Sequence, residues 1–160
     1  MTTQTLSRPT NFGARLMQSN RRVQAGWAGA VYDVAVTAGF ATPWTAAFIL
    51  GLFTDIHSGL GLGGADVPTF ETEHMLYVTL FGVVVTMWGV VRVLRPIPFL
   101  IAVDTVGRGA FALWFTWALL AGHSTIVVAF LVLELVWLVL QGRGVVRALA
   151  AESAEAAVAT

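Results

Sequence analysis

YDVAVTAGFATPW (Tyr32–Trp44) decides how the first third of this chain is laid out. Asp33 sits in an otherwise apolar run. Gly39-Phe40-Ala41 then loosens any helix that reaches it, and Thr42-Pro43 has the form of an N-cap followed by proline at the first helical position. The apolar region around this stretch, Val23–Ile56, is too long for one straight membrane span and too short for two ordinary ones. Dividing it at the break predicts a short first span over 24–40. A second helix over 43–58 then lies at the membrane interface or packs as a half-membrane segment.

Outward from this stretch the composition is that of a membrane protein. Of 160 residues, 57% are hydrophobic and 11% charged, against about 25% charged in soluble domains. The mean hydropathy is +0.77. Three further apolar runs, over 73–94, 97–121 and 124–141, are each close to the roughly 20 residues that cross a hydrocarbon core as a helix. In lipid such runs must be helical, because an open strand would leave backbone groups unpaired. The expected fold is all-α: a four-transmembrane-helix bundle with an additional interfacial or half-membrane helix after the first span. Residues 1–22 read as a cytoplasmic tail, 23–142 as the membrane domain and 143–160 as a second cytoplasmic tail. With no cysteine, disulfides, thiolate metal sites and cysteine nucleophiles are excluded. Every basic residue is an arginine and no basic face gathers them, which speaks against nucleic-acid binding.

Arginine placement predicts the orientation. Arg8, Arg15, Arg21 and Arg22 precede the first span, Arg92 and Arg95 lie between the second and third full spans, and Arg143 and Arg147 follow the last. Four crossings put all of these on one side and Asp55, Asp66, Glu71 and Glu73 on the other. A crossing by the 43–58 helix would scatter them. The expectation is a multi-pass protein of a bacterial cytoplasmic membrane with both termini cytoplasmic.

Asp33, Asp104, Arg108 and Glu134 remain inside the spans, where charge is costly and turns toward the bundle interior. Asp104 and Arg108 are four apart and share a helix face, which continues through Phe111 and Phe115. Val127, Phe130, Glu134, Leu138 and Gln141 form a stripe on the last span. Arg108 is therefore expected to reach Glu134 or Asp33 across the bundle, with three carboxylates facing one arginine. Such a cluster serves either as a proton relay or ligand pocket, or as a structural tie between helices. His74, at the outer end of its span, is expected level with Trp44 and able to act as acid or base at a cavity mouth, or to be an interfacial histidine with no task. The candidate catalytic set is Asp33, Asp104, Arg108, Glu134 and His74. The candidate ligand-binding set is Tyr32, Trp44, Tyr77, Phe81, Trp88 and Phe111, of which Tyr77, Phe81 and Trp88 also read as ordinary packing. Glu71-x-x-His74 occurs once where a di-iron bundle needs two such pairs, so no metal site is expected. Gly59–Gly64 reads as a flexible turn, and His123 and Ser124 as solvated.

Tyr32-Asp33, Ala41–Trp44, His74, Trp88, Arg92, Pro96, Asp104, Arg108 and Glu134 together resemble the pattern of small four-helix bacterial membrane proteins of the DoxX-like group, over about Tyr32–Gln141. That resemblance implies a redox or biosynthetic setting and assigns no catalytic role to any residue. The resulting expectation is a small, partly apolar molecule bound among the helices by a membrane-embedded enzyme or a redox- or biosynthesis-associated subunit. In it Arg108 orients an anionic or carbonyl group, and Asp33 or Glu134 moves a proton. An oligomeric proton-coupled transporter and a non-catalytic accessory subunit are the alternatives. The partners are the lipid bilayer, the small ligand, and a second copy or a membrane partner protein. The residues name no cofactor.

Overall fold

The computed structural model describes residues 11–159, and these are all-helical, without a strand. The helices are α1 (Asn11–Thr37), α2 (Pro43–Gly59), α3 (Thr72–Leu94), α4 (Pro98–Leu120) and α5 (Val127–Ala159), with a 3-10 turn at Ala38–Phe40 after α1. Three segments are long and apolar enough to cross a membrane: Thr72–Leu94, Pro98–Leu120 and Val127–Arg147. The pair Gln24–Phe40 and Pro43–Gly59 meets the same test only together, bent by 99° at the break.

The break forms from local chemistry. Thr37 Oγ1 donates 2.8 Å back to the Asp33 carbonyl, a bond that bends helices. The chain then tightens into the 3-10 turn. Thr42 adopts an extended backbone and its hydroxyl accepts from Thr45 N at 3.3 Å, with Pro43 opening α2, as the Thr-Pro signature requires. Gly82 on α3 allows the turn to sit where it does: a Cβ there would strike the Phe40 carbonyl and Ala41 N.

α3 packs on α1, α4 packs on α5, and α1 joins the two pairs through α5. α2 lies across the end of α1 against α3. It buries Ala46 and His57 and leaves Trp44, Phe48 and Leu52, each one turn from the next, as an exposed apolar ridge. Its end is pinned from below. His57 Nδ1 lies 2.7 Å from Ser124 Oγ and its Nε2 3.3 Å from Asp66. Ala65 N donates to the Gly122 carbonyl and Thr125 N to the Gly63 carbonyl, both at 2.8 Å. The glycine-rich segment is thus a clasp between the α2–α3 connection and the α4–α5 turn, and Ser124 is buried where the sequence suggested solvation.

α1 begins at Asn11 and α5 continues to Ala159, so both helices run beyond the 23–142 segment. Residues 1–10 and the side chains of 11–23 lie outside the described residues, and with them Arg8, Arg15, Arg21 and Arg22. Of the remaining arginines, Arg95, Arg143 and Arg147 are exposed at one end of the bundle. Asp55, Asp66, Glu71 and Glu73 are exposed at the other.

Candidate functional site

The interior of the bundle is charged and its outside is apolar. The fully buried hydrophobic side chains among the described residues are only Ala30, Ala46, Ile101 and Ala112, whereas Arg92, Asp104, Arg108 and Gln141 are all buried. Phe81, Val84, Val106, Leu113, Trp114 and Trp117 are among many large apolar side chains facing outward.

Seven side chains from four helices meet in one network. Arg108 is its hub. Its Nη2 donates to Asp33 Oδ2 at 2.6 Å, its Nη1 to Glu134 Oε2 at 3.1 Å, and its Nε to both Asp104 Oδ2 and Gln141 Oε1 at 3.1 Å. Arg92 is the second cation. Its Nη2 donates to the same Asp33 oxygen at 2.5 Å. Its Nη1 stands 2.7 Å from Asp104 Oδ2, an ion pair whose angle does not make a hydrogen bond. Trp88 Nε1 donates 3.0 Å to Asp104 Oδ1, and the Arg92 guanidinium stacks over the Trp88 ring. Gly29 on α1 leaves the space that the Gln141 amide fills, since a Cβ there would strike it. Arg92 Nε and Gln141 Nε2 are buried without a hydrogen-bond partner.

A cavity of about 440 Å³ rises from this network. Asp33, Arg92, Asp104, Arg108 and Glu134 form its floor. Phe40, Phe115 and Phe130 form its far end, with Phe53 of α2 packed behind Phe130 at 5.4 Å. Seven residues of helix separate Asp33 from Phe40, so the cavity is about 10 Å deep. Its open side is the gap between α3 and α4, which pack on α1 and α5 rather than on each other. Val84, Val103 and Phe111 at that gap are exposed, and Gly107 leaves open space beside them.

Of the sequence candidates, Asp33, Asp104, Arg108 and Glu134 are brought together, and Tyr32, Trp88 and Phe111 line the cavity with them. Tyr77 and Phe81 line a separate shallow groove with Thr37, Phe40 and Gly82. Trp44 is 79% exposed on the outer ridge of α2. His74 is exposed at the start of α3 and is not part of the cavity wall. Arg92 corrects the sequence reading most. It is 1% exposed and belongs to the network, so three carboxylates face two arginines, and its position carries no orientation signal. Gln141, noted only as part of a stripe, holds the hub arginine.

No family model matches the chain, and no curated protein or solved structure matches it.

Proposed function

We propose that this chain is an integral membrane protein of four crossings that binds a small, partly apolar molecule inside one subunit, with the polar end of that molecule on the Asp–Arg–Glu floor. The observation that carries this reading is an apolar, aromatic-walled cavity that ends on a charged network buried at the centre of a helix bundle. Pockets of this kind between bundle helices are ordinary ligand sites, and ionisable groups at membrane depth mark function by default. The broken pair α1–α2 makes the fourth crossing, with Arg95, Arg143 and Arg147 and both termini on the cytoplasmic side.

A carboxyl at the cavity floor can exchange a proton with whatever is bound. The reading is therefore that of a membrane-embedded acid–base enzyme or a redox- or biosynthesis-associated subunit. The DoxX-like resemblance supports the same setting, and Asp33 and Glu134 are the proton-carrying residues in it. His74, outside the cavity, has no part in the chemistry.

Native mass spectrometry of the purified protein in lipid nanodiscs tests this. A co-purifying small molecule is expected on the wild type. It should be absent from Gly107→Leu, which adds bulk to a lining position where a Cβ meets no atom within 4 Å. A wild type that carries nothing but lipid, whatever cell extract it is offered, overturns the reading.

A further inference from the structure

We infer that the cleft selects a lipophilic cation, a protonated amine or quaternary ammonium on an apolar body, taken up sideways from the bilayer between α3 and α4. This deepens the small-molecule reading above and rests on it.

The first ground is charge. Asp33, Asp104 and Glu134 bring three negative charges and Arg92 and Arg108 two positive, which leaves one net negative charge when all are ionised. An uncompensated charge in a low-dielectric interior draws a counter-charge or a proton.

The second ground is which groups the cavity meets. The Arg92 and Arg108 side chains are 1% and 3% exposed, whereas Asp33, Asp104 and Glu134 are 13%, 10% and 16% exposed. The guanidinium groups share the floor but are more deeply buried than the carboxylates. Asp33 Oδ1 and Glu134 Oε1 accept no hydrogen bond from a described side chain. A carbonyl or anionic ligand would therefore meet mainly acceptors where it needs donors, while an ammonium meets what it needs. In this inference Arg108 holds the carboxylates rather than orienting an anionic or carbonyl group.

The third ground is the wall. Tyr32, Trp88 and Phe111 stand nearer the floor than the far-end phenylalanines, and aromatic faces attract a desolvated cation. The way in is apolar throughout, through Val84, Val103 and Phe111, so the ligand arrives from lipid with its charge at the end that meets the floor.

Lining the cavity with Glu134 are Tyr32 and Asp33 of α1, Arg92 of α3, and Asp104 and Arg108 of α4. Asp33 accepts from two guanidinium groups and Asp104 from Arg108 and Trp88, but Glu134 accepts only from Arg108. Glu134 is thus the carboxylate with the fewest donors and the one left to pair with an incoming cation.

The test compares three probes on the protein in phosphatidylcholine nanodiscs, with empty nanodiscs subtracted. They are phenylpropyltrimethylammonium, its neutral carbon isostere and 4-phenylbutanoate. The cation is expected to bind at least about tenfold more tightly than the isostere, and the anion not at all. Glu134→Gln should lose the preference for the cation over the isostere, and Gly107→Leu should lose binding of every probe. Equal binding of cation and isostere, both lost in Gly107→Leu, sinks the cation inference and leaves the cavity reading standing. Preference for the anion, or failure of all three probes to bind, also overturns it, while the cavity reading stands or falls by the co-purification test.

Discussion

Arg92 and Arg95 stand three residues apart on the same stretch of chain, and their surroundings are opposite. Arg95 follows the last turn of α3 and is exposed, while Arg92 is buried between Asp33 and Asp104. Removing one partner of a buried ion pair leaves the other uncompensated, at about 3–5 kcal/mol. Arg92→Gln should therefore lower the unfolding midpoint in detergent sharply, whereas Arg95→Gln should leave it nearly unchanged. Asp33→Asn combined with Arg92→Gln removes one charge of each sign and should recover much of the loss, a coupling that a double-mutant cycle measures. Additive losses would show that the two side chains do not act as a pair. The sequence holds a signal for Arg92 in its periodicity. Gly82, Gly89 and Arg92 fall on one face of α3 and all are buried, and a face that places small residues at such intervals is the face that meets other helices. Asp33, Asp104, Arg108 and Glu134 were easier to find because each interrupts an apolar run far from its ends. Arg92 was hidden by its nearness to Arg95 and Pro96, which made the two arginines read as one basic loop.

The break between α1 and α2 shows what local chemistry settles and what packing settles. Thr42 as N-cap and Pro43 as first residue were legible, because capping depends on neighbours in the chain. The 99° bend was not, because it depends on where the turn rests. Gly82 decides that, seven residues from Gly89 on the face that holds α1. Two substitutions separate these contributions. Thr42→Ala removes one cap hydrogen bond and should cost about 1 kcal/mol, with the cavity intact and probe binding unchanged. Gly82→Ala places a methyl group against the Phe40 carbonyl. It should cost about 1–3 kcal/mol, as overpacking does, and should weaken probe binding as well, since Phe40 lines the cavity. Thermal unfolding beside probe titration reads both effects. Gly82→Ala with unchanged binding would mean that α2 is not held in register by α3. His74 and Trp44 failed to reach the cavity for a related reason. Both were expected level with each other at a cavity mouth, whereas the buried face of α2 carries Ala46 and His57, and Trp44 lies on the opposite ridge.

At the scale of the whole molecule, the four crossings proposed above rest on length, charge and the placement of α2. Gln24–Phe40 is about 25 Å of helix by its rise, short of a hydrocarbon core of about 30 Å. α2 turns across the end of this short span, and its Trp44–Phe48–Leu52 ridge faces outward where lipid would lie. In the proposed arrangement a helix bent by 99° from its predecessor runs roughly along the membrane plane and adds no crossing. The ends of the bundle agree, since Arg95, Arg143 and Arg147 share one end while Asp55, Asp66, Glu71 and Glu73 share the other. If α2 crossed instead, Gln24 and Asp66 would face the same side of the bilayer. If it does not, they face opposite sides. The chain has no cysteine, so single cysteines report on this without background. In intact cells or right-side-out vesicles, a membrane-impermeant maleimide should label Asp66→Cys and His123→Cys. It should leave Gln24→Cys and Arg95→Cys unlabelled until the membrane is permeabilised. Labelling of Gln24→Cys together with Asp66→Cys from the same side would require a fifth crossing. It would also separate the arginines of the first helix from those of the last, and remove the charge asymmetry on which the orientation rests.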